Sequence, residues 1–358
     1  MKVCHLGDAS VIHTWRWVDA MQKKGHDTYL ISFKPPREEF KNPNVKIFII
    51  PKTNLRNPFN LISTIIRTRK LVNEIEPDFI NAHYATHYGF LASLTNKPFI
   101  CSVWGSDILV TPKKMKVAKY VTKFVLKKAN YITCDADHLA KVIENYGVNR
   151  NKIKQIYYGI DVQKFKKISQ KGRSNPTVIS IRNLEPLYNV ETLIRAVPLV
   201  LHEIPNARFI VGGDGSQREY LEKLAKELHC SKNIRFVGRI RNDLLPKYFS
   251  LSDVYVSTSL SDGGLSASTA EAMSCKLPVV VTDFGDNGKW VTNDKNGFLI
   301  PLKDYKALAS RIIRLLKNKR LRRQMGELNR KAIEDKLNFH KEMEKLNGLY
   351  KQLIRDTT

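Results

Sequence analysis

At 358 residues the chain is long enough for two domains of ordinary size, and 42% hydrophobic beside 26% charged residues describes a packed globular protein, not a disordered one. Sixty lysines and arginines against 34 acids leave a net charge of +26 and a pI near 9.8. That balance favours an anionic partner (nucleic acid, an anionic membrane surface or a phosphorylated substrate), although a lysine-rich genome would produce the same surface with no partner at all.

The chain opens on MKVCHLGDAS, which reads as a first strand and not as a signal peptide, and no apolar run approaches the ~18 residues needed to cross a bilayer. A cytoplasmic protein is therefore expected. Cys4, Cys101, Cys134, Cys230 and Cys275 are odd in number and form no CxxC pair, so buried free thiols are expected in place of disulfides or a metal site. Next come a helix from Trp15 to Lys24 closed by Gly25, the strands DTYLIS and VKIFIIP, and the amphipathic helix LISTIIRTRKLVNEIE. DFINAHY, FICSVWG and ANYITCD continue the alternation. The basic stretch Gln163–Asn175 has almost no apolar content and reads as a linker. Beyond it the pattern restarts with TVISIRN, a helix from Val190, ARFIVGGDG, a helix from Gln217, NIRFVGR and DVYVSTS. Repeated βαβ units predict an α/β protein with two parallel sheets. The expected domains are 1–165, completed by a last helix over 340–358 that crosses back, and 166–339.

In open parallel sheets ligands bind beyond the carboxyl ends of the strands, so the residues there are the candidates. In the first half these are Gly7, His13 just beyond the first strand, His83 and Tyr84, and the Trp104–Asp107 segment WGSD. The histidines suit acceptor binding or proton transfer, or else are hydrogen-bonded structural residues; Asp107 suits sugar hydroxyls or a helix N-cap. In the second half they are Arg182, whose guanidinium suits bidentate phosphate contact, Arg239, and the stretch SDGGLSASTAEAM. There Gly263 and Gly264 permit close approach to the backbone, and a helix starting around Ser266–Ser268 offers an anion site at its N-terminus. Glu271 would follow within two turns. It could hold a vicinal diol such as a ribose, or it could simply complement the helix dipole. GGDG at 212–215 resembles a dinucleotide fingerprint but lacks the third glycine.

These segments, in their order and spacing, resemble the retaining glycosyltransferases of family 4. The likeness runs through GDASVIHTWRWVDAMQKKGHDTYLIS, NAHYATHYGFLASLTNKPFICSVWGSDIL and YYGIDVQKF in the first half. In the second it runs through VISIRNLEPLYNVETLIRA, ARFIVGGDG and EAMSCKLPVVVTD. The resemblance implies a GT-B fold, two Rossmann-like domains facing a cleft, with a UDP- or GDP-sugar held by the second domain as co-substrate. No metal and no other cofactor are implied. It makes Arg182 the diphosphate-binding arginine, Glu271 the second glutamate of the EX7E motif, and Asp262, Gly263, Gly264, Leu265 and Ser266 the loop that meets phosphate and donor sugar, with Arg239 on the donor side. Gly7, His13, His83, Tyr84, Trp104 and Asp107 fall on the acceptor side, Arg182 and Asp107 being the catalytic candidates. The chain departs from the pattern in four places. Gly263 stands where the first motif glutamate belongs, with Asp262 one residue further out; Tyr188 lies near the place of a second phosphate-binding lysine; Tyr158 replaces an asparagine, and Trp104 a histidine.

Residues 113–128, KKMKVAKYVTKFVLKK, put Lys116, Lys119, Lys123 and Lys127 on one helical face, with Val117, Val121, Phe124 and Val125 expected to pack on the sheet. Such a helix fits peripheral contact with an anionic membrane. The expected function is transfer of a hexosyl group to a lipid-linked or cell-surface glycan, as in lipopolysaccharide or polysaccharide biosynthesis. The rivals are an epimerase or phosphorylase on the same fold and a non-enzymatic anionic-polymer binder. The lysines are not interleaved with aromatics as in nucleic-acid modules, so no nucleic acid is expected.

Overall fold

Thirteen short strands, most of them apolar runs, form two parallel sheets in the computed structural model, which describes residues 1–51, 58–169, 175–262 and 264–357. Strands such as VVVT at Val279–Thr282 are buried on both faces, so they read as continuous apolar runs without alternation. Two compact units result: Met1–Tyr158 with His340–Thr358, and Gly159–Phe339.

The first unit carries β1 (Lys2–Leu6), β2 (Asp27–Ser32), β3 (Lys46–Ile49), β4 (Phe79–His83), β5 (Phe99–Ser102), β6 (Tyr131–Cys134) and β7 (Ile153–Gln155), in the spatial order β3-β2-β1-β4-β5-β6-β7. Register is set by pairs such as Lys2 with Asp27 and Val3 with Phe79. The helix from Pro58–Ile75, with those at His87–Ser93 and Lys116–Lys128, shares one core with this sheet: Val72, Ile75, Leu91, Val125 and Leu126 pack around Ile80 and Cys101. A smaller cluster of Trp15, Val18, Leu30 and Phe40 packs around the helix Ile12–Lys23. That helix starts three residues before Trp15 because His13 and Thr14 already belong to its first turn. It ends at Lys23, and Gly25, just past the cap residue Lys24, has a φ of 85° that favours glycine.

The helix Phe339–Thr357 belongs to this unit as a structural member. Tyr350, fully buried, packs edge-on against Phe79 at 4.7 Å and donates to Asn81 Oδ1 at 2.5 Å. Buried Glu342 accepts from the Tyr157 N–H at 2.8 Å, and His26 pairs with Asn347.

The second unit carries β8 (Thr177–Ile181), β9 (Arg208–Gly212), β10 (Ile234–Gly238), β11 (Val254–Ser257), β12 (Val279–Thr282) and β13 (Gly297–Ile300), ordered β10-β9-β8-β11-β12-β13. Helices Val190–Glu203 and Arg218–Glu227 begin at Val190, as expected, and one residue after Gln217. All five cysteines are buried free thiols.

Two sequence expectations need correction. The unit boundary lies at Tyr158/Gly159, seven residues before 166, because the start of the supposed linker is built into the second unit. Ile160 pairs with Asn338, Phe165 is 2% exposed, and Arg330 donates to the carbonyls of Val162 and Phe165. Residues 170–174 of that stretch lie outside the described residues. The lysine helix matches its expected face only in part. Val121 and Val125 pack on the core as expected, beside Ala118, Thr122 and Leu126, whereas Val117 and Phe124 point outward with Lys119, Lys123 and Lys127. The Lys116 side chain lies outside the described part.

Candidate active site

Each sheet has one strand at which chain order reverses: β1 lies between β2 and β4, and β8 between β9 and β11. At such switch points the connections leave in opposite directions, opening a crevice at the carboxyl ends. Most of the candidates from sequence fall at these two edges.

In the second unit Arg182 directly follows β8. Its side chain is 8% exposed, bonds Asp262 Oδ1 at 2.5 Å, and lies over the Tyr188 ring at 4.4 Å. Burial opposes the guanidinium charge, but the Asp262 carboxylate, with the Tyr255 and Tyr188 hydroxyls, more than offsets this and raises its pKa. The glycines of GGDG serve this arginine's backbone. A Cβ on Gly213, at φ 133°, would stand 1.8 Å from the Arg182 carbonyl, and Gly212 accepts from the Arg182 N–H at 3.0 Å. The near-fingerprint is a close backbone approach holding the end of β8.

The helix Ala267–Ser274 follows the loop after β11. Ser266 is its N-cap, accepting from the Thr269 N–H at 3.3 Å and sharing a hydroxyl contact of 2.7 Å with Thr269. Ser268 meets the buried Tyr255 hydroxyl at 2.8 Å, tying the first turn to β11. Glu271, three residues beyond Ser268 and so on the same helix face, is 7% exposed. Leu265 is buried, Gly264 half-buried, and Gly263 lies outside the described residues. Arg239 is exposed at the end of β10, two strands from β8.

In the first unit Gly7 follows β1, where a Cβ would meet Thr14 Cγ2 at 2.7 Å and His83 Cδ2 at 3.0 Å. The residues beyond it form an aromatic stack. Trp104 lies parallel to His83 at 5.9 Å and to His13 at 5.4 Å, and Trp17 meets it edge-on at 4.9 Å. Tyr158 closes on His13 at 5.4 Å. Sequence reading missed Trp17, and also His5, whose Nδ1 faces His83 Nε2 at 3.3 Å. His5 sits within the first strand, where its inward direction follows from strand alternation. Among the described residues His5 Nε2, His13 Nδ1, His83 Nδ1, Trp17 Nε1 and Trp104 Nε1 are buried with no hydrogen-bond partner, an unusual concentration.

Asp107 is 2% exposed, and it is not an N-cap. Its two oxygens accept from the Ala85 N–H at 2.7 Å and the Trp104 N–H at 3.1 Å, clamping the segments after β4 and β5. Burial pushes its carboxyl up to about 6, against the pull of those backbone donors. Tyr84, held at φ 74°, joins Asp8, Lys34, His87 and Asp107 around a cavity of 330 Å³. Among the described residues no three His, Cys, Asp or Glu side chains are arranged to hold a metal ion.

Burial also lowers His13 to about 4 and His83 to about 3, and takes His5 well below the ordinary 6.5. The unfolded chain then takes up protons that the fold refuses, so stability falls as pH drops below about 6.5. Asp107 opposes this only between its raised value and the ordinary carboxylate range. The thermal midpoint should therefore fall between about pH 7 and about pH 5; a flat or rising midpoint would contradict the neutral histidines.

Comparison with known proteins follows the two units. Residues 161–332 match the family described as glycosyl transferases group 1, and residues 2–136 match glycosyl transferase 4-like. The UDP-Gal:alpha-D-GlcNAc-diphosphoundecaprenol alpha-1,3-galactosyltransferase of Escherichia coli is 26% identical over 89% of this chain and 87% of its own. Among solved structures, the sucrose-phosphate synthase of Thermosynechococcus elongatus superposes with a TM-score of 0.85 at 16% identity, covering 99% of this chain and all of that one. Anabaena HepE in complex with UDP gives 0.83 at 16% identity, covering 98% of this chain and all of that one.

Proposed function

The chain belongs to the glycosyltransferases of the family 4 type, with their GT-B fold, and we propose that it is a retaining enzyme moving a sugar from a UDP-sugar to a lipid-linked glycan. The observation that carries the donor half is Arg182, a buried guanidinium at the switch point of the second sheet. Charge developing on a departing diphosphate would be met there by the arginine and by the N-terminus of the helix Ala267–Ser274. Glu271 would hold the ribose hydroxyls, Asp262 to Ser266 would line the donor sugar, and Arg239 would lie at the rim.

The reaction follows from retention. The acceptor hydroxyl attacks the anomeric carbon from the face the diphosphate leaves, the carbon–phosphate-oxygen bond breaks, and the acceptor proton passes to the departing phosphate oxygen. No enzymic nucleophile is needed; the protein contributes orientation and charge stabilisation. In the first unit His13, Tyr84 and Trp104, each partly exposed, would meet the acceptor beyond Gly7, with buried His83 stacked behind Trp104. Asp107 acts as a positioning residue, since both its oxygens are taken by backbone N–H groups. A UDP donor and a diphospholipid acceptor are supported by the similarity to the Escherichia coli galactosyltransferase, and UDP also by the likeness to HepE.

Calorimetry with UDP, GDP and ADP tests this reading. UDP should bind best, and Glu271→Gln, which keeps the side chain's shape, should weaken it by about tenfold, the worth of one or two hydrogen bonds to a charged group. Failure of all three nucleotides on folded protein would overturn the donor site; turnover of a UDP-sugar without acceptor would favour an epimerase or phosphorylase.

A further inference from the structure

A cleft of 1440 Å³ lies at the amino edge of the second sheet, where Asp253 precedes β11 and Leu277 and Pro278 precede β12. Arg182 stands at the opposite edge, about 15 Å away by the rise of a five-residue strand. Small-molecule pockets usually enclose about 300–1,000 Å³, so the cleft is larger than one compact ligand needs. A second cavity of 500 Å³, beside Arg208, Lys232 and Arg235, adjoins it: Thr177, in its wall, donates its N–H to Asp253 at 2.9 Å. Together they reach from β10 to β12, about 19 Å over four strand spacings.

The walls are basic beyond the bias of the whole chain. Eight of the 18 residues lining the cleft are lysine or arginine, against 60 of 358 overall, and four are acids. Three of those acids are already paired: Asp253 with Arg322, Glu327 with Lys276 and Glu334 with Arg330. Lys166, Lys319, Arg323 and Lys331 have no carboxylate partner among the described residues, and of the lining acids Asp335 alone is left to offset them. Among the described residues no acid lines the second cavity, and Glu203 and Glu227, which end the helices before β9 and β10, pair with Lys317 and Lys223.

Helix Lys319–Lys336 sharpens the imbalance. Helix starts favour acids, yet Lys319, Arg320, Arg322 and Arg323 fill four of its first five positions and its first turn has no acid. Lys319 and Arg323 also repel each other one turn apart. The helix is held in place against the turn before β12. A Cβ on Gly326 would stand 2.2 Å from the Lys276 carbonyl, and Asn329 donates to the Leu277 and Asn296 carbonyls at 2.8 Å each.

A fixed row of cations, set where the helix itself disfavours them, is complementary to an anion. We propose that the amino edge of the second unit binds an extended chain of phosphates that carries no bases. The breadth of the track favours a chain over a single nucleotide. Its lining disfavours nucleic acid: among the described residues no aromatic side chain lines the cleft, and Phe209 in the smaller cavity is 1% exposed, so bases would find no ring to stack on. The inference is independent of the transfer reading, since the track and Arg182 lie at opposite edges of the sheet.

Fluorescence anisotropy with end-labelled linear polyphosphate, at about 0.15 M salt and without donor or acceptor, tests it. Wild type should bind the long chain at least about tenfold more tightly than tripolyphosphate. Lys319→Ser with Arg323→Ser, and separately Arg208→Ser with Arg235→Ser, should each weaken binding by about tenfold, the effect of two lost phosphate contacts at that salt. Lys119→Ser with Lys123→Ser, an equal loss of charge from the first unit, should change it by less than about twofold. All six side chains are exposed, so the thermal midpoint should hold in every variant. A phosphodiester chain, poly(glycerol phosphate), is the second probe: comparable binding assigns the track to phosphodiester polymers, and weaker binding assigns it to condensed polyphosphate. An equal loss in the Lys119 and Lys123 variant would reduce the effect to net charge and overturn the proposal. So would tripolyphosphate bound as tightly as the long chain, or a single-stranded oligonucleotide bound more tightly than either polymer.

Discussion

Arg182→Ala is expected to lower kcat/KM for sugar transfer by about 100- to 1000-fold, the usual consequence of removing one preorganised group that stabilises developing charge. The guanidinium is well placed for such a role because its surroundings already hold it. Tyr188 lies under its plane at 4.4 Å, Asp262 takes one edge, and the Gly212–Gly213 backbone fixes the end of β8 from which it projects. Arg182→Lys should recover little, since a point charge on a flexible stem offers neither the planar stack nor two parallel donors. Initial rates with a UDP-sugar and a diphospholipid acceptor would measure both. Activity within about threefold of wild type in the alanine variant would remove Arg182 from the reaction, since the smallest expected loss for such a group is far larger.

Asp262→Asn is expected to move nucleotide binding and turnover in opposite directions. Asp262 occupies the guanidinium that a diphosphate would use, with side-chain exposures of 13% and 8% for the two partners. A diphosphate must therefore displace a carboxylate from a largely buried arginine. Removing the carboxylate's charge leaves Arg182 uncompensated, which should destabilise the unliganded protein by about 3 kcal/mol and make UDP correspondingly more stabilising. UDP should then raise the thermal midpoint further in the variant than in wild type. Turnover should fall, because on the proposed donor site the carboxylate released from Arg182 would be the group that takes the donor-sugar hydroxyls. Weaker UDP binding in the variant would mean that Asp262 assists the nucleotide and does not compete with it.

The strands and the strand-end residues were legible because parallel sheets write themselves as buried apolar runs, and because polar or glycine residues at their carboxyl ends stand out against those runs. Val190 shows this well, following the turn after a strand as the first residue of its helix. What could not be read was pairing across the chain. Arg182 and Asp262 are 80 residues apart, and the His13–Trp104–His83 stack draws on three separate strand ends. The lysine helix was misread at two positions for a different reason. Beside Val125 and Leu126 its buried side uses Ala118 and Thr122, small and weakly apolar, so the larger Val117 and Phe124 outweighed them in a reading by hydrophobicity. The basic stretch after Asp161 looked like a linker because two apolar residues, Val162 and Phe165, carry its packing while the lysines between them face solvent.

The helix Phe339–Thr357 supplies Tyr350 and Glu342 to a core otherwise built from residues 1–158. As the chain leaves the ribosome, the second unit is contiguous and can close as soon as residue 339 emerges. The first unit, although made earlier, keeps Asn81 and Phe79 without their partner until the last turns have been synthesised. The half translated first is thus the half that can close last.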